Sequence, residues 1–393
     1  MLIWLIWRFP MTLVSTKSTT SDNMLAKIVN IISINSPPFH RLCPFVKIIF
    51  VYRTKIMYDC NNITIKGRYF VKHVFIVNPV SGKTDARTTL LPKISAEAER
   101  LGLDYEVRCT EYKGHAIKMA QEYGEVREPA RLYAIGGDGT INELITGAHT
   151  YKCLEVASVP CGSGNDFVRS FGSVEDFLDI PDLIAGTAIT IDLIKTNRGI
   201  AASICSMGMD AAIAYGIPKF RRIPFCGGTM AYQLSIIQTI CGRMGYDMRV
   251  TLDDKITLTD RYLIATVCNG VAYGGGYRAS PNADLQDGML EVIVVKRMSR
   301  LRCMDVLNNY YKHGKHLVND KVSPKISDVM SYYKAKKITM TALDTHTPIV
   351  NVDGECGPAR EFTAEVMPSA ARFVLPKKLF DAFEGEKEQF IRV

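Results

Sequence analysis

The sequence predicts an α/β protein in two parts: a doubly wound parallel-sheet nucleotide-binding domain and a mostly antiparallel, β-sandwich-like second domain. Between residues 71 and 160, short apolar runs alternate with stretches of helical spacing. That alternation implies parallel strands joined by right-handed crossovers. After about Asp192, strand-like runs recur with only two helical interruptions, which suits antiparallel pairing. Glycine-bearing turns also follow several strands of the first half, at the carboxyl ends where ligands bind in such sheets.

The first half reads as follows. Residues 73–77 are a buried-strand run ending in Asn78-Pro79. Residues 86–101 carry apolar side chains at Leu90, Leu91, Ile94, Ala98 and Leu101, the spacing of one buried helix face. A strand at 105–109, a helix at 115–123, a strand at 131–135, a helix at 141–148 and a strand at 156–159 complete it. In the second half, strands are expected at 201–205, 248–252, 261–267, 289–295, 337–341, 350–352 and 362–366, with helices near 229–240 and 304–311. The expected divisions are a poorly ordered or over-long leader at 1–70, a nucleotide domain at 71–187, a substrate domain at 188–375 and a tail at 376–393 that returns to the first domain.

Composition narrows the function classes. Apolar residues make up 47% and charged residues 22%, as in soluble globular chains. No uncharged apolar stretch is long enough to span a bilayer. The net charge is +8, but residues 1–70 hold nine basic groups against two acidic ones, so the body is almost neutral. That excludes a basic nucleic-acid groove. The leader also contains Trp4 and Trp7, and Met57 lies close to the body. Eleven cysteines without a C-x-x-C pair argue against zinc and for reduced thiols in a cytoplasmic protein; Cys205 and Cys268 are expected in the core.

Three turns carry phosphate chemistry. Gly136-Gly137-Asp138-Gly139-Thr140 lies between a strand and a helix, where the backbone approaches a ligand closely and free N–H groups face an anion. Asp138 beside phosphates implies a cation or a proton-transfer role. Asn78-Pro79-Val80-Ser81-Gly82-Lys83-Thr84 ends like a Walker A loop, but the required first glycine is Val77, so that reading fails. Pro160-Cys161-Gly162-Ser163-Gly164-Asn165-Asp166-Phe167 is the third turn. Two acidic turns lie in the second half. Asp284 and Asp287 with a carbonyl of the turn running to Met289 suit a hard cation, and Asp353-Gly354-Glu355 could present a base across the cleft; an ordinary Asp-Gly turn is the alternative for each. Lys219, Arg221 and Arg222 stand among Ile217, Pro218, Phe220, Ile223 and Phe225, a mixture suited to an anionic membrane surface.

Taken in order, N-P-V-S-G, T-x-x-x-G-H-A (110–116), G-G-D-G-T-I-N-E, P-x-G-S-G-N-D-F, the 274–276 glycines with A-D-L-Q-D-G-M-L, and V-D-G-E resemble the diacylglycerol kinase catalytic family. That family includes bacterial soluble lipid kinases and the sphingosine and ceramide kinases. The resemblance covers residues 71–375. It implies ATP contacts from Asn78, Pro79, Val80, Ser81, Gly82, Thr110, Gly136, Gly137, Asp138, Gly139, Thr140, Ile141, Asn142, Glu143 and Ser163. It implies Asp138 at the Mg²⁺–phosphate centre, a structural Mg²⁺ on Asp284, Asp287 and the Met289 carbonyl, and Glu355 as base supported by Asp353. Ser163 stands where the family usually has Thr, and Cys161 where Leu is common.

The activity so implied is an ATP-dependent phosphotransferase acting on a lipid hydroxyl. Diacylglycerol is the preferred acceptor, as in phospholipid biosynthesis; sphingosine, ceramide and phosphatidylglycerol are alternatives. Its partners would be ATP and a lipid surface, with a homodimer admitted. It would be a cytoplasmic protein in peripheral contact with membrane. Two rivals differ in class. An NAD-kinase-type enzyme shares only the 136–140 loop, and a non-catalytic nucleotide sensor would be expected to lack Asp138 or Glu355.

Overall fold

The computed structural model describes residues 54–55, 68–69, 71–82, 85–223 and 228–391. The expectations for the rest of the leader, for Lys83 and Thr84 and for Phe225 lie outside these residues. The chain divides into two compact units, 1–71 and 72–393. In the first, Thr54–Lys55 pairs antiparallel with Arg68–Tyr69. Everything below belongs to the second.

Its parallel half is the alternating region. Strand β1 (Lys72–Val77) lies between β2 (Tyr105–Cys109) and β3 (Ala130–Gly136), and β3 pairs with β4 (Leu154–Pro160), all in parallel. Val74, Phe75, Ile76 and Val77 are all fully buried, the continuous apolar run of a strand covered on both faces. The helices are α1 (Leu91–Arg100), α2 (His115–Val126) and α3 (Asp138–Ala148). The single helix expected over 86–101 is instead Ala86–Thr89 followed by α1, with Pro92 in the first turn of α1. A proline lacks the N–H an interior position needs, but fits a helix start. The third helix begins at Asp138 rather than at 141, so the glycine motif reaches into its first turn.

The other half opens with β5 (Thr187–Thr196), β6 (Ile204–Gly208) and the helices α4 (Met209–Arg221) and α5 (Gly228–Cys241). It continues through β7 (Tyr246–Leu252), β8 (Ile256–Cys268), β9 (Leu290–Lys296), β10 (Met330–Ala335) and β11 (Lys337–Ala342). It ends with β12 (Ile349–Val352), β13 (Glu355–Pro358), β14 (Glu361–Leu375) and α6 (Lys377–Ile391). The antiparallel order is β13–β12–β6–β8–β7–β11–β14, with β9 pairing β8 and β10. Strand β14 spans both halves. Residues 361–365 pair with β11, residues 364–367 and 371–375 pair with β5, and Phe373 meets Val156 of β4 in parallel.

Several sequence expectations change here. The strand expected at 201–205 is two pieces, Gly199–Ala201 and β6, separated at Ala202-Ser203. Residues 217–221 are the end of a helix, and the helix near 304–311 is an α-turn (Arg300–Asp305) that widens into a π-turn (Val306–Tyr311). Three buried clusters fill the unit. One lies in the parallel half and includes Phe373 of β14, edge-on to Phe167 at 4.9 Å. The second, including Cys205 and Phe362, fills the antiparallel strands. The third, including Met209, Ile213, Cys268 and Ile293, joins α4 and α5 to the sheet. Leu379 and Phe380 of α6 pack on the first cluster.

Candidate active site

The three glycine turns lie together at the carboxyl ends of β1, β3 and β4. Asn78 organises the first. Its side-chain oxygen accepts from the Val80 N–H at 3.2 Å, while its amide donates to Thr140 Oγ1 at 3.0 Å, tying this turn to α3. The second and third turns touch backbone to backbone. A Cβ on Gly162 would stand 2.5 Å from Gly137 Cα, and one on Gly137 would stand 3.1 Å from Gly162 Cα. Side chains at either position would push the turns apart. Gly137 is the N-cap of α3 and supplies no side-chain cap, which leaves that helix end for an anion.

Acidic side chains surround this point. Asp138 Oδ1 accepts the Phe167 N–H at 3.0 Å, so the third turn orients it. Asp166 is buried and accepts the Gly275 N–H at 2.7 Å. A Cβ on Gly164 would meet Asp138 Oδ2 at 2.8 Å and Asp166 Oδ2 at 3.2 Å. Two carboxylate oxygens therefore face one small space, a donor set that suits Mg²⁺. Burial raises Asp166 to about 6, with the neighbouring Asp138 adding to the rise. Sequence reasoning did not single out Asp166; its place beside Asn165 in the third turn was the available signal.

Asp353 and Glu355 flank the tight turn between β12 and β13. Val352 pairs with Glu355 across a two-residue loop with φ of 45° at Asp353 and 91° at Gly354, the left-handed pair that Asp-Gly supplies in hairpins. The Asp353 carboxylate accepts N–H groups from Ala202 (2.6 Å), Ser203 (3.1 Å) and Ile204 (2.7 Å). These bonds break the strand at 202–203 and hold β12 to β6. Burial raises Asp353 to about 6, against the lowering effect of the three amides. Glu355 is exposed and pairs with Lys113 of the 110–116 loop.

That loop is clamped from below. Glu143 Oε1 accepts the Gly114 N–H at 2.8 Å and Oε2 accepts the Ala116 N–H at 3.3 Å. Both oxygens of Glu143 are thus engaged in positioning the loop. Thr110 donates to the Val77 carbonyl through its backbone N–H at 2.9 Å.

Two cavities meet here. A cleft of about 910 Å³ is lined by Asn78, Pro79, Val80, Ser81, Thr110, Gly137, Gly139, Thr140, Asn142, Glu143, Asp353 and Glu355 among others. An apolar chamber of about 200 Å³ runs between the sheet and the pair α4–α5, lined by Ile213, Ile217, Tyr232, Ile236, Ile264 and Leu307 among others. Asn142 and Asp353 line both, while Asp138 and Ile141 line the chamber. Ser163 is exposed on its turn, and Gly82 and Gly136 are outside the residues lining the cleft. The chamber also contains a group the sequence did not flag. Asp210, at the start of α4, is 9% exposed; its Oδ1 accepts the Ala211 N–H at 2.8 Å, and its Oδ2 has no partner. The Ser206 and Thr266 hydroxyls stand beside it without reaching hydrogen-bonding geometry. Burial raises it to about 6.

Asp284, Asp287 and Met289 sit apart from both cavities. Asp284 accepts the Gln286 N–H and Asp287 accepts the Met289 N–H, each at 2.9 Å. Asp287 Oδ2 lies 3.2 Å from Lys334 Nζ, which also pairs with Glu291 at 3.1 Å. Asp192 anchors the turn by accepting the Gly288 N–H at 2.7 Å. The oxygen donors suit a hard cation, but Lys334 already supplies a positive charge to Asp287, so a metal would have to displace it. Among the described residues, no group of three or more His, Cys, Asp or Glu side chains is arranged to hold a metal. Among them also, no helix is long and apolar enough to cross a membrane.

Comparison with known proteins adds the following. Residues 72–196 match the profile of the diacylglycerol kinase catalytic domain, and residues 203–375 match that of the YegS C-terminal NAD kinase beta sandwich-like domain. A diacylglycerol kinase of Staphylococcus haemolyticus is 28% identical over 285 residues, 72% of this chain and 81% of that one. One from Bacillus subtilis is 27% identical over 286 residues, 72% and 89% of the two chains. A crystal structure from Bacillus anthracis, provisionally assigned as a diacylglycerol kinase, superposes with a TM-score of 0.59 at 25% identity, covering 78% of this chain and 98% of the other.

Proposed function

Because the chain belongs to the diacylglycerol kinase catalytic family, whose members are lipid kinases, we propose that it transfers the γ-phosphate of ATP to the primary hydroxyl of diacylglycerol, giving phosphatidic acid. One observation carries the reading: a large cleft bordered by glycine turns and charged side chains and a small apolar chamber share Asn142 and Asp353 as walls. A nucleotide in the cleft and a lipid chain in the chamber would bring a phosphate and a hydroxyl together at that wall.

The roles divide as follows. The turns at Asn78–Gly82, Gly136–Thr140 and 160–167 would cradle the phosphates with backbone N–H groups. Asp138, with Asp166 beside it, would hold a Mg²⁺ ion that offsets phosphate charge. Glu355 would accept the hydroxyl proton as the new O–P bond forms. Asp353 would act through the backbone at 202–204, holding the two halves of the wall in register. A base is needed only late for an alcohol nucleophile, so positioning and charge neutralisation should supply most of the rate. A structural cation at Asp284, Asp287 and the Met289 carbonyl remains part of the proposal, in competition with Lys334.

Delivery of the lipid would fall to α4 and α5. Their inner faces line the chamber, while Tyr215 of α4, Met230 and Ile237 of α5 and Ile223 just beyond α4 are exposed, with Lys219, Arg221 and Arg222 at and just past the end of α4. Activity should rise with anionic lipid and fall with salt.

A second reading is favoured by Asp210. A buried carboxylate without a counter-charge is costly, and the amine of a sphingoid base would supply one. The deciding experiment is phosphotransfer from radiolabelled ATP to mixed micelles of diacylglycerol, sphingosine, ceramide or phosphatidylglycerol, with NAD as a soluble control. Labelled phosphatidic acid as the main product supports the first reading. A tenfold preference for sphingosine, worth about 1.4 kcal/mol at the transition state, supports the second. Label in NAD alone would overturn both.

A further inference from the structure

Resting on that reading, we propose that Lys113 is a phosphate-responsive catalytic residue: it pairs with Glu355 while the cleft is empty, moves its charge to the terminal phosphate of a bound nucleotide, and so frees Glu355 to act as base.

The charge around the cleft motivates this. Its lining includes the carboxylates of Glu111, Glu143, Asp353 and Glu355, against Lys113 and Arg198 as cations among the described residues. A triphosphate entering such a site meets net repulsion unless cations turn towards it. Arg198 is partly committed, since its Nη1 donates to the Pro358 carbonyl at 3.2 Å. Lys113 is the adaptable one.

Its backbone and side chain are held very differently. Gly114 and Ala116, just beyond it, are clamped through their N–H groups by Glu143. The Lys113 side chain, by contrast, is 73% exposed, and that of Glu355 is 63% exposed. The two belong to opposite halves of the unit and meet over the cleft. An exposed ion pair of this kind is weakly held and screened by salt. A phosphate oxygen offers a charge-assisted bond that is stronger. Lysine suits the exchange, being a compact charge on a flexible four-carbon stem.

The chemistry balances without another reactant. The lipid hydroxyl gives its proton to the freed Glu355 carboxylate. Its oxygen bonds to the γ-phosphorus as the bond from that phosphorus to the β,γ-bridging oxygen breaks. ADP departs with that electron pair, and Lys113 offsets charge on the transferring group throughout. Before the nucleotide binds, Lys113 covers the base, which favours nucleotide loading ahead of phosphoryl transfer.

The test uses the full chain with Lys113→Met and Lys113→Arg. Binding of AMP, ADP and ATP is measured without lipid, and turnover is measured with the lipid acceptor. The expected result for Lys113→Met is unchanged AMP affinity, about tenfold weaker ATP binding and a kcat about 10²-fold lower. Lys113→Arg should retain most of both. The ATP effect should persist in a Glu355→Gln background, since it arises at the phosphate. Equal effects on AMP and ATP, no effect on either, or a loss that vanishes in the Glu355→Gln background would each overturn the inference. If the wild-type chain phosphorylates no lipid, the proposed reaction fails, while the nucleotide series still judges Lys113.

Discussion

The cleft and the chamber share a wall but are built from different materials. The cleft is bordered by turns at 78–81, 110–114 and 137–140, stiffened by Asn78 and Glu143, and Gly137 rests main chain to main chain on Gly162 of the next turn. The chamber is lined by side chains from α3, α4, α5, β8, the 272–277 loop and the π-turn at Val306–Tyr311, segments spread over residues 138–354. Where its turns touch, at Gly137 and Gly162, a backbone site has little room for an added methyl, whereas a side-chain site can change volume by degrees. The same contrast sets the expected effects of mutation.

The largest losses should come from the carboxylates on either side of the shared wall, Asp138 in the chamber and Glu355 in the cleft. Asp138→Asn and Glu355→Gln are near-isosteric and remove charges the proposed chemistry needs. Turnover in each should fall, for Glu355 by roughly 10²–10⁴-fold, with an unchanged circular dichroism spectrum. Near-normal turnover would move the active site elsewhere. Next, Gly162→Ala should press its methyl against Gly137 Cα. The cost should be about 1–3 kcal/mol of stability, with weaker nucleotide binding, measured by denaturant titration and nucleotide affinity. An innocuous methyl here would mean that the two turns are not in contact.

On the chamber side the effect should be graded. Ile236→Ala removes apolar wall and should weaken lipid binding by up to roughly 2 kcal/mol, raising the KM for lipid while the KM for ATP stays put. Parallel changes in both constants would erase the distinction between the two cavities.

Acidity offers a finer probe. Asp210 ionises at about 6 in the folded chain, against 3.8 when unperturbed. Between those values the folded protein holds a proton that the unfolded chain has lost. Stability from this group therefore falls as pH rises through that window and is level above it. Asp210→Asn should be more stable than wild type at pH 7, and the difference should shrink towards pH 4, as read from paired thermal melts. Asp166 and Asp353 are raised in the same way, so turnover should climb as pH rises through about 6 if their ionised forms are the working ones. The smallest effect is expected at Asp287. Since Lys334 already faces it, Asp287→Ala should lower the melting temperature modestly, and Mg²⁺ should stabilise the wild type only slightly. A large Mg²⁺-dependent rise would place a metal there in preference to Lys334.

The parallel half was the more legible in the sequence. Residues 105–109 are a strand as expected, and the helix at 115 begins on the expected residue, because apolar spacing and glycine punctuation are local signals. The antiparallel half was less so. Strand β14 was anticipated only over 362–366, yet runs to Leu375, past Pro368 and a left-handed Ser369 where its register with β5 shifts. Pattern reading stops at such a proline, although the pairing resumes beyond it. Helix α4 was concealed by Gly208, Gly216 and Pro218. A Cβ at Gly216 would push Ser235 Oγ of α5 off the Ile213 carbonyl it donates to at 2.6 Å, but that reason for glycine belongs to a neighbour in space.

The sequence by itself determined the strand–helix alternation, the three glycine turns at one sheet edge and the carboxylates that accompany them, because each is written within a few consecutive residues. Tertiary structure alone decided that Asp353 would break a strand 150 residues away, that both Glu143 oxygens would serve a loop, that Lys113 would meet Glu355, and that Asp210 would lie in the chamber wall with one carboxylate oxygen unpartnered. The physical reason is the range of the interactions. Backbone conformation responds to nearest neighbours, whereas the partner of a charge and the polarity around it depend on chain segments that only folding brings together.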